Sequence, residues 1–108
     1  MARFLCPYLQ AEVDLSDERE AHIREHHQDL LPENRVCILK AIADPDEVLR
    51  SRRDPAARLF VRWFDDLLGG NHVVVVIVTD RVPRRRHWIV TAYASRRSVE
   101  GVCEWSRS

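Results

Sequence analysis

The stretch HVVVVIV, residues 72–78, constrains the fold of this chain more than any other segment. Side chains branched at Cβ fit a pleated strand and crowd a helical turn. A strand with one wet face alternates apolar and polar residues. This run does not alternate, so it is expected as a central strand buried on both faces. Its second face then needs a cover: a loop, the N-terminal segment, or a second copy of the chain in a homo-oligomer.

The segments around it supply the rest of a single domain, residues 1–108, since a chain of 108 residues has room for one modest core. Residues 1–15 read as a lead-in with a short strand or turn. Ser16 is the expected N-cap of a first helix, because Asp17, Glu18 and Glu20 follow it and favour the positive end of a helix dipole. That helix is expected to run to about Leu31 and stop at Pro32. A second helix fits Glu33 to Ala43, with Val36, Leu39, Ile42 and Ala43 at helical spacing, and ends at Asp44-Pro45-Asp46. The apolar period then changes from 3.6 to 2. Strands are expected over Glu47–Arg53, Arg58–Phe64, His72–Val78, Trp88–Ser95 and Val102–Ser106, separated by turns at Asp54-Pro55, Gly69-Gly70-Asn71 and Asp80–Arg86. The expected fold class is α+β: two N-terminal helices packed on one face of a four- to five-stranded antiparallel sheet.

Alternation assigns the faces. Leu59, Val61 and Trp63 should meet the helices, as should Trp88, Val90, Ala92 and Ala94. Arg58, Arg62, Thr91 and Tyr93 should then share the open face, where guanidinium groups, hydroxyls and an aromatic ring suit a phosphodiester. The plainer alternative is an ordinary solvated sheet face.

Charge points the same way. Residues 1–49 hold 11 acidic and 5 basic side chains, a net of −6, whereas residues 50–108 hold 6 acidic and 12 basic, a net of +6. All of the basic residues except Lys40 are arginine, whose planar fork fits phosphate oxygens in pairs. A basic half suggests an anionic partner, either RNA or an acidic protein. The longest apolar run is too short to cross a bilayer, so no membrane partner is expected. Three separated cysteines with no C-x-x-C pair, and no apolar core of a signal peptide, fit a cytoplasmic protein with reduced thiols.

His22, Glu25 and His26 stand in the order H-x-x-E-H. That order occurs in inverted zinc peptidases, with the glutamate as base. Such a site takes a further ligand from another helix, and everything after residue 47 reads as strand, so neither a metal nor a cofactor is expected. The two histidines would otherwise line the helix edge facing the sheet. They also suit metal-free RNA cleavage, in which a base activates the 2′-hydroxyl, an acid protonates the leaving oxygen, and cations hold the phosphorane.

The segments LSDEREAHIREHH, ILKAIADPDEV, SRRDPAARLFVRWF, HVVVVIV and WIVTAYAS, in that order, resemble the phage-associated nuclease domains of the barnase–EndoU–colicin–RelE class (PBECR) from about residue 15 to 105. The resemblance implies the two-helix-plus-sheet fold and a metal-independent ribonuclease, often a toxin paired with an antitoxin or immunity protein. Carried over by position, it implies His22 as acid or base, with His26 as a second proton-transfer or orienting group. Arg62 matches the strand arginine, and Thr91 with Tyr93 matches the T-x-Y strand. Arg58, with Ser51 and Arg53 on the same surface, would bind substrate. The alternative is a catalytically silent member that binds nucleic acid or a protein partner.

Overall fold

The computed structural model describes residues 1–107. The chain forms strands β1 (Ala2–Cys6) and β2 (Ala11–Leu15), helices α1 (Asp17–His26) and α2 (Arg35–Ala43), then β3 (Glu47–Arg50), β4 (Ala57–Phe64), β5 (Asn71–Asp80), β6 (Arg86–Ser95) and β7 (Val102–Ser106). All seven strands belong to one sheet, in the order β1-β2-β6-β5-β4-β3-β7.

This corrects the expected fold class. The sheet has seven strands rather than four or five, and it is mixed, because β2 lies parallel to β6 through the pair Asp14–Trp88. The helices are not N-terminal: a hairpin precedes them. Phe4 and Cys6 of β1, and Val13 and Leu15 of β2, are buried, while Arg3 and Glu12 are exposed. The period of 2 is therefore present, but each strand is only five residues long. The exposed Leu5 also makes Phe4-Leu5-Cys6 read as a continuous apolar run.

Ser16 caps α1 as expected, accepting the Arg19 amide at 3.1 Å. The helix ends at His26, however, well before Leu31. Leu30 and Leu31 are fully buried because the turn after the helix dives into the core, so their burial owes nothing to a helical stripe. No helix among the described residues is long and apolar enough to cross a membrane.

The main core lies between the helices, the β1–β2 hairpin and the first face of the sheet. It contains Ile23, Ile38, Ile42, Phe60, Val73, Val75, Ile77 and Ala92, among others. The turn between β1 and β2 reaches across to β7: Tyr8 packs edge-on against Phe60 (5.9 Å, 81°) and its hydroxyl donates to Glu104 at 3.0 Å. Glu104 also accepts Arg58 Nε at 2.8 Å and Arg50 Nε at 2.6 Å, so one carboxylate ties β3, β4, β7 and the hairpin turn together.

The central-strand reading of β5 holds: Val73, Val74 and Val75 are all fully buried. The cover over the second face is the segment between β6 and β7. It carries Val99 onto a small second cluster of Leu49, Leu59, Val61, Val74 and Tyr93. Gly101 lets this segment pass close to β3, since a Cβ there would stand 2.9 Å from Leu49 Cβ and 3.0 Å from the Arg50 carbonyl oxygen.

The face assignments change in two places. In β4 the order is reversed. Phe60 faces the main core together with Arg58 and Arg62, while Leu59, Val61 and Trp63 face the other way. Both faces of β4 carry large apolar groups, so alternation alone gives no direction, and the larger Phe60–Phe64 pair faces the larger core. In β6 an irregularity lets Ile89 pair with Ile77 and Thr91 with Val76, leaving Val90 as the extra residue. A bulge of this kind inverts the alternation on one side of it. Ile89 is thereby in the main core alongside Ala92, and Trp88 is not.

His87 sits at the start of β6, 4% exposed, with Nδ1 2.8 Å from the Thr79 hydroxyl. Burial, and then the charges of Arg85 and Arg58, push its pKa below the usual histidine value of 6.5. A histidine that resists protonation only in the folded state favours unfolding at acid pH. Its effect is absent well above pH 6.5 and grows as the pH falls below that value. Denaturant midpoints of the wild type should therefore drop between about pH 7.5 and 5.5, with a smaller drop in His87→Gln.

Candidate functional site

A cleft of about 570 Å³ opens on the second face of the sheet. Its floor is Leu59, Val76, Tyr93 and Val99, and its rim carries Ser51, Arg52, Arg53 and the exposed carboxylate of Glu100. These groups come from β4, β5, β6, the β6–β7 segment and the β3–β4 turn. The neighbouring strands deliver Leu59, Val76 and Tyr93 to one face because Leu59 pairs with Val76, and Tyr93 with Val74, in the ladder.

The β3–β4 turn is held by its own side chains. Ser51 Oγ accepts the amides of Arg53 (3.2 Å) and Asp54 (3.3 Å), and Asp54 Oδ1 accepts the Ala56 amide at 2.9 Å. Arg50 Nη1 donates to the Pro55 carbonyl at 2.5 Å. Such local bonds fix a turn without any regular ladder. Arg52 and Arg53 project from this fixed turn and are exposed. Among the described residues no carboxylate lies within ion-pair distance of either, whereas Arg50 and Arg58 share Glu104 and Arg62 holds Asp44. Burial raises the Tyr93 phenol above its usual value, so it stays protonated at neutral pH as a hydrogen-bond donor.

Of the residues singled out in the sequence, Ser51, Arg53 and Tyr93 meet at this cleft. Thr91 lies on the same face but does not line the cleft; its Oγ1 is buried with no hydrogen-bond partner among the described residues. Arg58 and Arg62 are on the opposite face and already engaged. Arg58 is bound to Glu104, while Arg62 donates to the Asp44 carboxylate at 2.9 Å and stacks over Phe64 at 5.5 Å.

His22 and His26 lie on the outer part of α1 with their rings stacked 4.5 Å apart. His26 Nδ1 is 3.0 Å from the His22 carbonyl oxygen. Partial desolvation, then the positive charges of His26, Arg19 and His27, holds His22 below the usual histidine range. Neither ring lines the cleft. His27, the residue after α1, is the histidine beside Tyr93, with ring centroids 6.2 Å apart.

Sequence reasoning missed Arg52 and His27. Arg52 sits in a turn, where alternation does not apply, so two consecutive arginines can serve one rim. The signal for His27 is its place at the helix C-cap, visible only once the helix end is known.

No family model, curated protein or solved structure matches this chain.

Proposed function

We propose that this chain is an RNA-binding domain that seats a nucleotide in the cleft of Ser51, Arg52, Arg53 and Tyr93. The observation that carries the reading is the pairing of two arginines, neither in an ion pair among the described residues, with an apolar, aromatic floor, the one carboxylate on the rim being that of Glu100. A nucleotide is amphipathic in the same way: its phosphate suits the guanidinium forks, and its base suits Tyr93 and the valines. A volume of about 570 Å³ is of the size that holds small ligands.

Binding is favoured over cleavage because Arg62, His22 and His26, the residues drawn from the PBECR resemblance for the chemistry, do not line the cleft. One observation favours the ribonuclease form: His27 stands beside Tyr93, ring centroids 6.2 Å apart, and so sets an imidazole next to a residue that lines the cleft.

The pure protein in EDTA should retard total RNA in a native gel. Arg52→Ala/Arg53→Ala should weaken retention roughly 100-fold, at about 1.5 kcal/mol for each charge-assisted bond. Absence of retention by the wild type would sink the reading. Fragments with 2′,3′-cyclic ends that vanish in His27→Ala would make the domain a ribonuclease. Cleavage that instead depends on His22 and Arg62 would restore the site implied by the resemblance.

A further inference from the structure

The β3–β4 turn, residues 51–56, and the β5–β6 turn, residues 81–85, lie at the same end of the sheet. Ala57 pairs with Val78, and the Thr79 amide donates to the Ala56 carbonyl at 3.0 Å. The two turns are two strand spacings apart, ~10 Å. The first carries Arg52 and Arg53; the second carries Arg81, Arg84 and Arg85.

All five arginines are exposed, and among the described residues none has a carboxylate at ion-pair distance. Three of the nearby acids are occupied, while Glu12 beside Arg84 and Arg85 and Glu100 beside Arg52 and Arg53 are exposed and not at ion-pair distance from these arginines. Asp14 is shared by Arg3 (3.2 Å) and Arg86 (3.6 Å), Asp80 accepts Trp88 Nε1 at 3.0 Å, and Asp54 holds its own turn. Arg84 and Arg85 border a second recess of about 440 Å³ with Gln10, Glu12 and Asp14. Five guanidinium groups without an ion pair among the described residues, gathered at one end of a chain with zero net charge, form a directed patch and do not merely reflect composition.

Resting on the reading of the cleft given above, we infer that the ligand is single-stranded RNA running from the cleft across this end of the sheet onto Arg84 and Arg85. The cleft takes one unstacked base, and the arginines of the β5–β6 turn take phosphates further along the strand. A duplex keeps its bases stacked inside and has none to offer Tyr93, so it meets only the arginines. An acidic protein would likewise meet the arginines and leave the apolar floor unfilled.

Fluorescence anisotropy separates these cases, using a labelled dinucleotide, a longer single strand and a duplex of the same sequence, each over a range of salt. The longer strand should bind the wild type at least tenfold more tightly than the dinucleotide or the duplex. Arg84→Ala/Arg85→Ala should cancel most of that gain. It should also flatten the salt dependence by about 0.7 per lost phosphate contact, while leaving dinucleotide binding unchanged. If the longer strand binds, and Arg52→Ala/Arg53→Ala weakens it, but Arg84→Ala/Arg85→Ala leaves affinity and salt slope intact, the track is wrong and the cleft reading stands. Equal affinity for the duplex overturns the single-strand assignment. If no RNA binds the wild type, both the cleft reading and the track fall.

Discussion

Glu104→Ala should lower the unfolding free energy by about 2–3 kcal/mol, measured by denaturant titration at neutral pH. The carboxylate accepts from Arg58, Arg50 and Tyr8, and its removal strands Arg58, whose side chain is only 18% exposed. Breaking a fully buried pair costs about 3–5 kcal/mol. The figure here is smaller because Arg50 is 38% exposed and water screens its share. Burial raises the Glu104 pKa, but the hydrogen bonds from Arg58, Arg50 and Tyr8 together outweigh it and hold the carboxyl below its ordinary value of 4.5. The contribution is therefore fully present above about pH 4.5 and is lost as pH falls through the folded-state value. The stability gap between the wild type and Glu104→Gln should narrow on acidification below pH 4.5. A constant gap would mean the carboxylate's charge does no structural work.

Phe60→Ala should cost about 3–5 kcal/mol, enough to remove much of the stability of a domain this size. Phe60 is fully buried and pairs across the ladder with Val48 and Val75, which are also fully buried. Tyr8 closes over its edge. The cavity is lined on the sheet side by β-branched residues with few alternative rotamers, so it should collapse poorly. Val61→Ala, in the small second cluster, should cost less, because fewer groups pack there. The reverse ranking, read from denaturant midpoints, would mean that the second cluster is the main core.

Much of the strand content was legible because β5 and β7 announce themselves by composition and spacing. Val102–Ser106 was expected with the observed bounds, and the buried run of β5 needed no partner to be recognised. The β1–β2 hairpin was not legible, since five-residue strands with an outward Leu5 lack a clear alternation. Its omission turned a mixed seven-stranded sheet into a smaller antiparallel one. The site was readable in part for a related reason. Tyr93 is readable from its strand face alone, whereas Ser51 and Arg53, expected in a strand over Glu47–Arg53, belong to the turn after β3, which ends at Arg50. Arg58 and Arg62 were set on the same surface as Tyr93 because β4 is apolar on both faces. Only the cross-strand partner Ile77 or Val73 reveals which way each arginine points. The bulge at Val90 likewise depends on a neighbouring strand that local alternation does not see.

The most direct test of the RNA-binding cleft is backbone amide mapping by NMR as single-stranded RNA is added in EDTA. The shifts should concentrate on residues 51–53, Leu59, Val76, Tyr93 and Val99, with a second group at Arg84 and Arg85. Shifts gathered instead around His22, His26, Arg58 and Arg62, with the cleft silent, would contradict the account.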